Sequence, residues 1–189
     1  MVLSFKPLTT ATWHDFDALL GAYEGCKGCW CMHWRLSFSD WKKQQGEGNR
    51  RAMKAYVDAG DVPGILAYSE GRPVAWCGCG PREWYPRLNK SQVAKPVDDQ
   101  EVLSVNCFFV DRQARGNNIQ LELLHEILRF AKQQGYEVVE GYPVEPGERR
   151  LDSSTSLVGL AQAFEEAGFH EVARRKKDRP IMRKEIQTS

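Results

Sequence analysis

Residues 102–142 constrain the fold more than any other part of the chain. Residues 102–110 form an apolar run rich in Val and Phe, long enough for a strand buried on both faces. A polar turn follows, and residues 118–134 then place Ile119, Leu123, Leu124, Ile127, Leu128 and Ala131 on one helical face, with Gly135 just past the end. Residues 137–142 read as a second buried strand. Two strands joined through a helix run parallel, and the crossover is right-handed. An antiparallel hairpin precedes this unit, with strands 64–69 and 74–79 turning at Glu70-Gly71-Arg72-Pro73. The unit and the hairpin together require a mixed sheet.

The remaining segments fit around that sheet. Residues 2–8 predict a first strand. Trp13, Phe16, Leu20 and Tyr23 recur at helical spacing, with Thr10 or Thr12 as N-cap. A second, polar helix is expected over 39–59, broken near Gly46 and Gly48, its last part made amphipathic by Ala52, Met53, Tyr56 and Val57. Residues 81–96 read as a long connection and 143–156 as a polar loop. A helix over 157–167 closed by Gly168, and strands over 170–173 and 181–186, complete the order β-α-α-β-β-β-α-β-α-β-β. The class is α/β with a mixed sheet and helices on its faces. A length of 189 residues suits one domain spanning 1–189.

Charge and hydropathy remove several functions. Lys and Arg number 26 against 25 Asp and Glu, leaving +1, whereas a nucleic-acid binder usually carries a clear basic excess. The basic run at 174–179 reads as a solvated turn or as a local patch. No stretch approaches the ~20 apolar residues of a membrane span. The first eight residues lack a signal-peptide layout, so a cytoplasmic location with free thiols at all six cysteines is the expectation.

The chemistry concentrates in Asp111-Arg112-Gln113-Ala114-Arg115-Gly116-Asn117-Asn118-Ile119-Gln120, between the best strand and the best helix. Such a turn aims backbone N–H groups and the positive end of the helix dipole at one point, suiting a phosphate or pyrophosphate. Arg112 and Arg115 add charge, Gly116 permits close approach, and Asn117 or Asn118 tolerates the left-handed conformation of anion nests. An ordinary strand-to-helix connection with two solvated arginines is the other reading of these residues.

Here the sequence resembles the GNAT superfamily of acyl-CoA-dependent N-acyltransferases, whose signature is Arg/Gln-x-x-Gly-x-Gly/Ala. Arg115 takes the first position, Asn118 stands at the first glycine, and Gln120 stands at the second, where its bulk could crowd the pyrophosphate unless its side chain turns away. Phe164-Glu165-Glu166-Ala167-Gly168-Phe169 is similar to the end of the family's last helix and the strand after it. Cys29-Trp30-Cys31-Met32, Pro96-Val97-Asp98-Asp99, Gly141-Tyr142-Pro143-Val144 and Arg179-Pro180-Ile181-Met182 resemble one bacterial group within the family.

The resemblance implies a GNAT-like fold with a splayed central strand pair, and acetyl-CoA as acyl donor. Backbone groups of Cys107, Phe108, Phe109 and Val110 would meet the pantetheine arm and stabilise the oxyanion. Arg115, Gly116, Asn117, Asn118, Ile119 and Gln120 would hold the pyrophosphate. It implies direct attack by a neutral primary amine of a small molecule or peptide, with a base to take its proton. Glu101 or Val102 falls at the family's glutamate position, making Glu101 the catalytic candidate ahead of Asp98 and Asp99. Phe164 stands where many members carry a tyrosine acid. A thiol of pKa ~8.5 is already a fair leaving group, so this departure need not abolish activity, and either a slower enzyme or a substitute acid is the expectation. Tyr142, Ser154, Thr155 and Ser156 lie nearby in sequence. A homodimer through sheet edges is compatible with the family.

For the acceptor, the loop Cys26-Lys27-Gly28-Cys29-Trp30-Cys31-Met32-His33-Trp34-Arg35 and the segment Arg82-Glu83-Trp84-Tyr85 are the expected walls. Trp30, Trp34, Trp84 and Tyr85 either line a pocket for an aromatic, apolar or cationic amine or pack a small second core. Cys26, Cys29, Cys31, Cys77 and Cys79 have spacings that could serve zinc, though free thiols are the expectation. An acyl-CoA-binding sensor or interaction module with little catalysis is the alternative to an enzyme, motivated by Asn118, Gln120 and Phe164.

Overall fold

The computed structural model describes residues 2–147 and 155–187. Its elements are β1 (Leu3–Pro7), α1 (Trp13–Gly21), α2 (Glu24–Lys27), α3 (Phe38–Lys43), α4 (Glu47–Asp58), β2 (Gly64–Ser69), β3 (Arg72–Pro81), α5 (Pro86–Lys90), β4 (Leu103–Val110), α6 (Ile119–Gln133), β5 (Val138–Gly141), α7 (Ala161–Glu166), β6 (His170–Lys176) and β7 (Arg179–Glu185). The strands form one sheet in the order β1-β2-β3-β4-β5-β7-β6. Every adjacent pair is antiparallel except β4 and β5. The mixed sheet and the hairpin thus follow the sequence pattern.

Three expected elements differ in detail. The helix expected over 39–59 is two helices, because Gly46 takes φ +83° and only then starts α4. The helix expected over 157–167 is a short turn (Thr155–Val158) and then α7, with Gly159 at φ +88° between them. The connection 81–96 contains α5, started by Pro86 at its first position, where a missing N–H costs nothing.

One face of the sheet carries α6 and α7, which bury Leu123, Leu124, Ile127 and Phe164 against Leu103, Val105 and Phe108. The other face carries α1 to α4, with Phe16, Trp30, Met53, Trp76 and Phe109 at its centre. Beside this second core, Tyr85, Leu88, Ala94, Tyr142 and Ile181 form a third cluster under α5. The basic run at 174–179 folds back onto the protein: Arg174 pairs with Glu171 and Glu145, and Arg175 donates to the carbonyls of Lys95 and Pro96. Among the described residues no helix is long and apolar enough to cross a membrane.

Candidate active site

The site arises from a break in the sheet. β4 pairs with β5 only at Leu103–Val139, Ser104–Glu140 and Val105–Gly141, while its pairing with β3 continues to Val110. At the break, β4 gains a residue. Gly78 faces Cys107 and Cys79 faces Val105, so Asn106 is bulged. A bulge bends its strand and re-aims the backbone. One side chain, Phe164, packs where the strands part. The Phe164 ring lies where a Cβ on Gly141 would fall, at 2.0 Å, and its edge meets Phe108 with ring centroids 6.0 Å apart.

The break opens onto a cleft of about 950 Å³, near the upper end of the ~300–1,000 Å³ common for cofactor pockets. Its walls are the end of β4, the following turn with the start of α6, the α1–α2 connection, and the segment carrying Leu157, Leu160 and Gln162. Of the residues expected to hold the acyl donor, Phe108, Phe109, Val110, Arg115, Gly116, Asn118, Ile119 and Gln120 line it. Cys107 faces the α1–α4 core instead, and Asn117 braces the turn by donating from Nδ2 to the Ala114 carbonyl at 2.9 Å.

The turn has the geometry of an anion nest. Gly116 has φ +82°, and Asn118 is left-handed at φ 53°, ψ 25°. The first-turn N–H groups of α6 have no intrahelical carbonyl to bond and face the cleft with the helix dipole behind them. Asp111 fixes the turn by accepting from the Gln113 N–H at 2.9 Å, and Arg112 and Arg115 stand exposed at the rim. Gln120 does not obstruct it: its Oε1 accepts from the Leu160 N–H at 3.2 Å, tying α6 to the start of α7.

Other expected residues lie apart from the cleft. Glu101 is exposed, precedes β4, and is not a lining residue. Phe164 is fully buried between Phe108 and Phe169. Tyr142 is buried beneath β4 and β5, donating to Glu140 at 2.6 Å and sharing a hydrogen bond with Ser104 at 2.9 Å. Ser154 lies outside the described residues. The four acceptor-side rings divide between two clusters. Trp30 is in the second core, and Trp34, Trp84 and Tyr85 belong to the third cluster. Arg35 occupies the aromatic cage there, its Cζ 4.8, 5.2 and 4.6 Å from the rings of Tyr56, Trp84 and Tyr85.

The cysteines divide between the two sides of the sheet. Cys77 and Cys79 pack on the α6 face, whereas Cys26, Cys31 and Cys107 pack on the α1–α4 face. Among the described residues no group of three or more His, Cys, Asp or Glu side chains could hold a metal ion. Burial pushes Cys26 up to about 12 and Cys79 likewise up to about 12.

Tyr23 lines the cleft, although from the sequence it reads only as part of a helical spacing. Its ring packs on Phe109 at 4.7 Å, and burial, then a hydrogen bond with Asp111, raises its phenol above the ordinary range. Its helical spacing with Trp13, Phe16 and Leu20 concealed it, although it lies past the end of α1, just before α2.

A sequence model of the acetyltransferase (GNAT) family matches residues 30–149, and the chain belongs to that family. The solved structure of an N-acetyltransferase from Staphylococcus aureus Mu50 superposes with a TM-score of 0.59 at 14% identity, covering 99% of this chain and 100% of that one. The yncA acetyltransferase of Salmonella typhimurium, solved with its cofactor acetyl-CoA, gives 0.57 at 13% identity over 100% and 96%. A mosquito arylalkylamine N-acetyltransferase-like protein gives 0.60 at 10% identity over 97% and 100%. At such identities the likeness is one of fold. No curated protein sequence matches.

Proposed function

We propose that the chain transfers an acetyl group from acetyl-CoA to a primary amine of a small molecule or peptide. The observation that carries this reading is the parting of β4 from β5 beyond Val105 and Gly141, opening onto a cleft that ends at the anion nest of α6. The family membership and a relative holding acetyl-CoA support the choice of donor. The nest and the rim arginines receive the pyrophosphate, and the free edge of β4 from the bulge to Val110 pairs with the pantetheine amides. A neutral amine then attacks the thioester carbonyl. The oxygen gains the negative charge, which a β4 backbone N–H stabilises, and collapse expels the coenzyme A thiolate.

Proton removal is assigned to water in the cleft. Glu101 is exposed, precedes β4 and does not line the cleft. It therefore acts through a relay rather than by direct abstraction.

Calorimetric titration with acetyl-CoA, wild type beside Arg115→Ala, is the test. Saturable binding that weakens in the variant is expected, followed by coenzyme A thiol release with some member of an amine panel. Absence of binding by the wild type would overturn the reading. Binding with no turnover on any amine would replace the enzyme by an acyl-CoA sensor.

A further inference from the structure

Several independent arrangements converge on the sulfur of Cys31. Trp30 and Cys31 both adopt left-handed backbone, φ 49° and 58°, which is disfavoured for residues with a Cβ. Gly78 on β3 leaves the space this requires, since a Cβ there would lie 2.8 Å from Cys31 Sγ and 3.2 Å from Cys107 Cβ. Trp76 Nε1–H donates to Cys31 Sγ at 3.3 Å. Arg35, 4% exposed, spends Nη2 on the carbonyls of Pro63 and Cys79 and on the Tyr85 hydroxyl, and leaves Nε and Nη1 unpartnered. Its charge therefore favours an anion at Cys31. Burial pushes the Cys31 thiol up, but the Cys107 hydrogen bond, Arg35 and the Trp76 N–H together hold it below its usual value. The hydrogen bond with Cys31, then burial, raises Cys107. Cys31 and Cys107 thus meet over Gly78, with the Cys31 sulfur held by the Trp76 N–H, an arrangement that brings two thiols together for disulfide formation.

We propose that Cys31 and Cys107 are a redox-active dithiol, a modification site at which hydrogen peroxide closes a disulfide between the α2–α3 loop and β4. The Cys31 sulfur attacks one peroxide oxygen, breaking the O–O bond and becoming a sulfenic acid as the other oxygen leaves as water with the Cys107 proton. The Cys107 sulfur then attacks Cys31, the S–S bond forms, and the hydroxyl departs as hydroxide, which takes up the proton given up earlier by Cys31 to become a second water. Two thiols lose two hydrogens, and the peroxide is reduced to two waters. Cys107 directly follows the bulge, so the bond would draw β4 toward the loop and lower acyl-CoA affinity. That consequence rests on the acetyltransferase reading; the cross-link does not.

The test treats the full-length protein with hydrogen peroxide and maps non-reduced peptides by mass spectrometry. The expected first product joins the Cys31 and Cys107 peptides with the loss of two hydrogen atoms, and a dithiol reductant reverses it. Cys31→Ala should remove this product, and its acetyl-CoA binding should no longer respond to peroxide. First closure of Cys26 with Cys29, or persistence of both thiols, would overturn the assignment. The wild-type map decides this even if the variant fails to fold. A mapped cross-link without loss of acetyl-CoA binding would overturn the coupling to β4.

Discussion

His33 lies against the Arg87 guanidinium, which sits 3.1 Å from Nδ1 and also donates to the His33 carbonyl at 2.7 Å. Burial, then the Arg87 charge, lowers its pKa from 6.5 to about 4. The unfolded chain therefore binds a proton in a range where the folded protein does not. His33 thus favours folding fully above pH 6.5, and this is lost progressively as pH falls toward about 4. His33→Gln should flatten the stability profile across that window, by at most ~1.4 kcal/mol per pH unit, in urea melts at several pH values. Some residue-level features were legible in sequence. Asn118 was readable as a left-handed residue, because its short amide tolerates that conformation. The escape of Gln120 was not, because its partner Leu160 comes from a distant element. Arg35 gave no signal either: nothing local distinguishes a caged arginine from a solvated one.

Among the elements, β5 carries a carboxylate inside the protein. Glu140 is fully buried, contacting Arg82, accepting from Arg183 Nε at 2.7 Å and from Tyr142 at 2.6 Å. Arg183 also holds Asp98 through two bonds of 2.6 and 2.8 Å. Two arginines thus balance two carboxylates, joining β5, β7 and the flanks of α5. Removing one charge leaves an uncompensated arginine in a dry site. Glu140→Gln should cost about 3–5 kcal/mol by urea denaturation, while Asp98→Asn, at the half-exposed end, should cost less. The Asp98 hydrogen bonds to Arg183 hold its carboxyl down at about 2. This separate contribution is present above the ordinary carboxylate range and is lost as pH falls toward about 2. β4, α6 and the hairpin were legible because their periodicity is long and unbroken. The Glu140 network was not, since its members meet only after β5 and β7 pair. α5 was masked by the proline that starts it.

At the scale of the whole molecule, the sheet is two half-sheets, β1-β2-β3-β4 and β5-β7-β6, joined by the short parallel ladder that ends at Val105 and Gly141. A donor seated in the cleft touches elements on both sides of that joint. Acetyl-CoA at 100 times its dissociation constant should therefore stabilise the protein by ~2.7 kcal/mol, read as a rise in melting temperature that Arg115→Ala reduces. The same joint decides how the molecule yields. Elsewhere the strands are clasped along most of their length, so thermal breathing and mechanical tension concentrate between β4 and β5. Pulled at its two edge strands, the molecule would tear there first. The bound pantetheine would serve as a temporary strand that splints the fracture line.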